Sequence, residues 1–464
     1  MEKEILTKEL LVELARKQND DELLEHYYNL ALQDKLECET SDEKVMFLFI
    51  LMRFQGKKLF EKTQISQADF FGMDKVDENS DYWKFYQFLE NIYYEISSKQ
   101  VYIPENVAIE FYEDFCNILY FFGYYFRCIE VYEEYLLKYG ENSFLNFLKA
   151  SVIEICYINK SDDFVKMALY NYQKDLIDRC EPSKVLAGEY IFEEVKKTIY
   201  DRVENNGALG KCMKFIKISD SYKDTIAEDK TWTEEKDFYY RNNLFLNPLN
   251  LFGEFTACTN EVFDDLEIED NNKIYFDEIL EDYKMCRKET YFYYKNINNV
   301  DTRKMAMTYN YIYSIFDKIA FLLKHTYNLL IDEKKIYFNK NFFEKNIENS
   351  NVKFKNIKND NIWPLFIIMN DIQQNREESS ILQASTYEHN LLRNLIQHRS
   401  MSLVDEDKLK RNAIVLLKLA RDAILYTFAL IKSCGMPIEE NIMTGFGTTL
   451  QHTYLRLSRE NMQK

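Results

Sequence analysis

A chain of 464 residues with only 11 glycines and 5 prolines has room for two or three sizeable cores and little to break its helices, which argues an all-α protein. A formal net charge of −18 excludes a surface coated for non-specific nucleic-acid binding, so any RNA contact must use a local basic region. Nine cysteines, odd in number and without a Cys-x-x-Cys pair, exclude a disulfide or zinc framework and read as buried thiols in a reducing cytosol.

The stretch Met1 to Leu6 is charged and lacks the apolar core of a signal peptide. Val45 to Met52 is too short an apolar run to span a bilayer, and Ala413 to Ile431 is interrupted by Lys418, Arg421 and Asp422. A soluble, cytoplasmic protein without a membrane segment is expected.

Residues 2 to about 35 repeat their apolar positions at the spacing of one or two amphipathic helices, with Asp20-Asp21 as an N-cap between them. Asp42 to Phe54 predicts another helix, Gly72 to Ser80 a loop, and Tyr82 to Ser97 a return of the helical period. Between Leu119 and Leu136, the residues Gly123, Phe126, Tyr132 and Leu136 resemble the tetratricopeptide pattern, in which glycine lets paired helices approach closely. Ile129 and Tyr135 stand where that pattern has small alanines, so a generic helical hairpin fits as well. Either way, residues 1–225 are expected to form a stacked array of helical hairpins, an architecture that commonly binds a partner on its concave face.

The boundary falls where Asn205, Asn206, Gly207 and Gly210 lead into a polar run from Ser219 to Lys230, giving a second domain over 226–464. Pro248, with Asn247 and Asn250 about it, predicts a fixed turn, and Asp264 to Asp270 a solvated acidic loop. Long helices follow over Tyr275 to Asn296 and Arg303 to Leu330, the second carrying an Asp317-Lys318 pair that is either buried or turned toward a site.

Residues 333–358 hold seven lysines against three glutamates, interleaved with Tyr337, Phe338, Phe342, Phe343 and Phe354. Such a mixture can hold single-stranded RNA, although aromatics packed on a helical bundle are the simpler reading. Trp363-Pro364 punctuates the chain before helices over Leu365 to Arg376, around residues 393–398, and over Lys408 to Ile431. Residues 391–432 carry eight basic and four acidic side chains, a locally basic region where a phosphate backbone could dock.

Within that region lies Arg393-Asn394 followed by His398. On a helix Asn394 and His398 fall one turn apart, with Arg393 at the edge of their face. An imidazole moves a proton near neutral pH, and a guanidinium stabilises charge on non-bridging phosphate oxygens. His389 falls on roughly the opposite face, and His26, His325 and His452 have no evident partners, so these four are expected to be structural. No pair of His or Cys has metal-ligand spacing, and no cofactor is called for.

Residues of about 231–432 resemble the HEPN superfamily, in particular a bacterial branch in which a HEPN bundle follows tetratricopeptide-like helices. The resemblance rests on Asn243 to Asn250, Thr290 to Tyr294, Ile312 to Leu322, Trp363-Pro364-Leu365 and Leu392 to His398, in that order. It implies a dimerising helical bundle whose Arg-Asn-x-x-x-His helices face each other across a composite active site, and a metal-independent endoribonuclease of toxins or anti-phage defence. The RNA 2′-OH would be the nucleophile, with His398 moving the proton, Arg393 stabilising the phosphorane and Asn394 orienting the imidazole or binding phosphate. Arg399 would add a phosphate contact.

Some HEPN toxins carry a tyrosine two residues after the histidine, used for silencing by nucleotidyl transfer. Ser400 occupies that position here, so control is expected to come instead from the N-terminal array, through a protein or nucleic-acid trigger. Two other readings compete: a non-catalytic HEPN adaptor for dimerisation or nucleotide binding, and a peptide-binding regulator resting on the N-terminal helices alone.

Overall fold

The computed structural model describes residues 4–33, 35–62, 81–98, 101, 103–156, 163–185, 189–205, 233–247, 270–295, 302–350, 352–357, 359, 361–373, 389–398 and 405–432. The chain opens with a two-residue strand β1 (Glu4–Ile5), then α1 (Lys8–Arg16), α2 (Asp21–Leu32) and a second short strand β2 (Leu36–Glu37) parallel to β1. The helical period expected from residue 2 therefore begins later. Glu4 and Ile5 are drawn into a ladder with residues 36–37, which closes the first hairpin on itself. Asp20 caps α2 as expected, its carboxylate accepting the Leu23 N–H at 3.1 Å.

Helices α3 (Ser41–Lys62), α4 (Asp81–Ser98), α5 (Glu105–Phe121), α6 (Tyr125–Tyr139), α7 (Ser143–Cys156), α8 (Asp163–Asp178) and α9 (Glu189–Asn205) follow, each packing on the next. Between α5 and α6 the chain reverses at Gly123, with φ of 72°. Its N–H bonds the Tyr120 carbonyl at 2.9 Å and the next N–H, of Tyr124, bonds that of Leu119 at 2.8 Å, so two terminal carbonyls of α5 are satisfied. The glycine thus serves a left-handed helix terminus.

The second half begins with α10 (Glu234–Arg241), which ends in the same manner on Asn243 at φ 52°. The segment 244–247 is buried and tied down through the Leu244 carbonyl, which accepts from Tyr283 Oη at 2.9 Å and Arg287 Nη1 at 3.0 Å. The turn expected around Pro248 lies outside the described residues beyond 247, as does the acidic 264–269 stretch. Helices α11 (Asp270–Lys295), α12 (Thr302–Tyr327) and α16 (Glu406–Lys432) form the bundle proper, and α14 (Ile362–Gln373) and α15 (His389–His398) lie against it. Among the described residues no helix is long and apolar enough to cross a membrane.

Between α12 and α14 runs the lysine- and aromatic-rich segment, with one short helix α13 (Lys340–Phe343). Phe338, Phe342, Phe343 and Phe354 are buried and meet edge to face or tilted, while Phe343 also reaches Phe366 of α14. These rings fill the bundle and cannot stack bases. Only Tyr337 among these five aromatics is exposed. Lys353 and Lys355 both pair with Glu344, which removes part of the local positive charge.

The array and the bundle share a core. Tyr426 of α16 packs its ring against Phe126 of α6, with centroids 4.6 Å apart, and accepts the Phe126 N–H at 3.3 Å. Trp83 of α4 meets Phe366 of α14 edge-on at 5.8 Å. Beside them, Glu130 of α6 pairs with Arg421 at 3.3 Å and Lys418 at 3.8 Å, and Arg421 also bonds Asp422 and the Asn243 carbonyl. Burial pushes the Glu130 carboxyl up, but Lys418, Arg421 and Arg127 outweigh it and hold the group down at about 2. Two of the basic residues counted toward a phosphate-binding region, Lys418 and Arg421, are thus committed to the acidic array.

Candidate active site

Helix α15 buries one stripe. His389 and Leu392 are covered completely or nearly so, and Arg393 and Ile396 are half-buried, which is the i, i+3, i+4, i+7 spacing of a helix lying on a core. The stripe faces α12, α14 and α16. At 100° per residue, position 394 stands roughly 140° and position 398 roughly 180° from position 389. The side chains of Asn394 and His398, and Arg399 altogether, lie outside the described residues. Of the four expected site residues, only Arg393 has a described side chain.

Arg393 reaches across to α12. Its Cζ stands 4.4 Å from the centre of the Tyr313 ring, a cation–π distance, and its Nε is buried with no hydrogen-bond partner among the described residues. One turn further along α12 is Asp317, whose Oδ1 accepts the Phe338 N–H at 2.9 Å. Burial raises the Asp317 carboxyl, opposed by that N–H and by the charge of Arg393, but no ion pair joins Asp317 to the guanidinium. Burial likewise lifts the Tyr313 phenol to about 12, with Arg393 pulling the other way. Tyr313 is fixed by donating its hydroxyl hydrogen to the Ile372 carbonyl.

These groups enclose a cavity of about 340 Å³, lined also by Tyr337, Asn339 and Gln373. Two of its lining residues are tied together by Gln373, which donates from Nε2 to the Phe338 carbonyl at 2.7 Å. A half-buried guanidinium beside a polar cavity, with no carboxylate in ion-pair contact among the described residues, suits an anion supplied from outside. Tyr313 and Gln373 carried no functional signal in the sequence. Asp317 does turn toward the site, whereas its neighbour Lys318 is held on the other side by Glu278 and by Asp282 at 2.6 Å.

None of the other described histidines lines this cavity. His389 is wholly buried, shares a 2.6 Å hydrogen bond with Tyr309 Oη, and is pushed down to about 3 by burial, so it is neutral and holds α15 on α12. His325 stacks on Tyr275 at 5.8 Å, and His26 packs edge-on to Tyr27. His452 lies outside the described residues. Among the described residues no three His, Cys, Asp or Glu side chains are grouped to hold a metal ion.

Residues 270–433 match the model of the LA2681-like HEPN family, and this part of the chain is a HEPN domain. The match covers the bundle from the start of α11 to the end of α16 and includes the Arg393 helix. Neither a curated protein nor a solved structure matches the chain.

Proposed function

From the premise that the bundle is a HEPN domain, a class of nuclease or related function, we propose that the protein is a metal-independent endoribonuclease. The observation that carries this reading is Arg393: a half-buried cation lining a cavity, held over Tyr313 and without an ion-pair partner among the described residues. A scissile phosphodiester supplies the missing anion. In the reaction the RNA 2′-oxygen attacks the adjacent phosphorus, the 5′-oxygen leaves, and a 2′,3′-cyclic phosphate remains. His398 moves the proton, Arg393 stabilises the negative charge that builds on the phosphorane oxygens, and Asn394 and Arg399 bind or orient around them.

HEPN domains often dimerise and bind RNA, and two copies of α15 would bring two such sets to one cleft. In this reading the acidic helical array answers a protein or nucleic-acid trigger, and the chain works as a toxin or anti-phage effector. The test is cleavage of RNA by purified protein in EDTA with the product ends analysed. Cleavage to 2′,3′-cyclic ends by wild type and its loss in His398→Ala supports the enzyme. Equal cleavage by both removes His398 from the chemistry.

One observation favours the alternative, a nucleotide-binding or dimerising adaptor. Arg393 points into its own bundle, roughly 100° and 140° around the helix from positions 394 and 398. An adaptor would bind nucleotide through Arg393 and show no cleavage in either form.

A further inference from the structure

The cavity at Arg393 offers more than a phosphate needs. Asp317 lines the cavity and gives one carboxylate oxygen to the Phe338 N–H, and its second oxygen is a further acceptor. Asn339 spends its Oδ1 on capping α13, accepting the Phe342 N–H at 3.1 Å, which leaves its amide N–H₂ as a donor. Tyr337 is 53% exposed while its neighbour Phe338 is buried, so one exposed aromatic side chain stands in the cavity wall. A cation, a carboxylate, an amide donor and an accessible ring within one cavity match a nucleotide rather than a bare anion.

The carboxylate decides which base. Guanine alone among the four RNA bases presents two adjacent donors, N1–H and N2–H, on its pairing edge. Adenine and cytosine set a lone pair beside a single amino donor, and uracil sets one N–H between two carbonyls, so each places an acceptor against the carboxylate. We propose that this cavity is a nucleobase subsite selective for guanine, with Asp317 accepting from N1–H and N2–H, Asn339 donating to the acceptor edge, Tyr337 stacking on the ring and Arg393 on the adjoining phosphate. This rests on the ribonuclease reading for its substrate class, and it makes the enzyme one that cuts beside guanosine.

The test is calorimetric titration of the full chain with the 3′-monophosphates of guanosine, adenosine, cytidine and uridine. Guanosine 3′-monophosphate is expected to bind at least about tenfold more tightly than the others. Asp317→Asn keeps an acceptor for the Phe338 N–H, and is expected to erase that preference. Tyr337→Ala, at an exposed position, is expected to weaken all four by about fivefold or more. Four equal affinities, no binding by any of the four at millimolar concentration, or a guanosine preference that survives Asp317→Asn overturns the proposal. The two readings fail separately. His398-dependent cleavage with four equal affinities keeps the ribonuclease and removes the guanine subsite. Asp317-dependent guanosine binding without cleavage keeps the subsite and removes the ribonuclease.

Discussion

Arg393 and His389 stand four residues apart on the buried stripe of α15, and their surroundings divide structure from chemistry. His389 is enclosed, and its imidazole is pushed down to about 3 from an ordinary 6.5. The folded group refuses a proton that the unfolded chain accepts, so this residue's contribution to stability is complete above pH ~6.5 and falls by ~1.4 kcal/mol for each pH unit below it, until the folded group also titrates. The urea midpoint is therefore expected to drop between pH 7 and pH 5 by more in wild type than in His389→Gln. Equal drops would mean that the histidine is not held neutral. Arg393 is only half-buried, and there a planar fork over Tyr313 differs from a point charge on a flexible stem. Arg393→Lys is expected to lower kcat for RNA cleavage by about 100-fold while leaving helical content by circular dichroism unchanged. A loss of less than about threefold would mean that the guanidinium does not touch the reacting phosphate.

At the scale of elements, the ends of the helices set the path of the chain. Gly123 ends α5 at φ 72°, where a side chain on Cβ crowds the backbone, so Gly123→Ala is expected to cost ~1–2 kcal/mol in denaturant unfolding with α5 and α6 both retained. A change below ~0.3 kcal/mol would mean that the turn adopts another form. The glycine was legible because so few glycines occur, but its task was not: spacing shows that helices meet there, and only the backbone angle shows a left-handed terminus. The same limit applied elsewhere. Long periodic segments such as α11, α12 and α16 could be read directly, because burial of one face writes a 3.6-residue rhythm into the sequence. The strand Glu4–Ile5 could not, because two residues carry no period and their partner lies at residues 36–37. Arg393 was legible from a short motif on one helix. Its cavity was not, since Tyr313, Asp317, Tyr337 and Gln373 come from three separate segments joined only by packing.

At the scale of the molecule, the Glu130 cluster joins the array to the HEPN bundle. Arg421 and Asp422 are buried and the Glu130 side chain is 10% exposed, and among the described residues their charges are met by one another, by Lys418 and Arg127, and by the Asn243 carbonyl that Arg421 bonds. Separating the halves would therefore strip the buried Arg421 of one carboxylate and expose the apolar contact of Tyr426 with Phe126. Removing the single carboxylate has the same electrostatic consequence without moving a helix. Glu130→Ala leaves a buried guanidinium with Asp422 as its remaining carboxylate and is expected to cost ~3–5 kcal/mol. Arg421→Met alone should be costly for the mirror reason. The double variant should recover part of the sum, since two uncompensated charges then disappear together. A cycle of urea unfolding on the four proteins gives the coupling directly. A coupling energy near zero would mean that the two halves are held by their apolar contacts alone, and that the cluster only fixes how they fit.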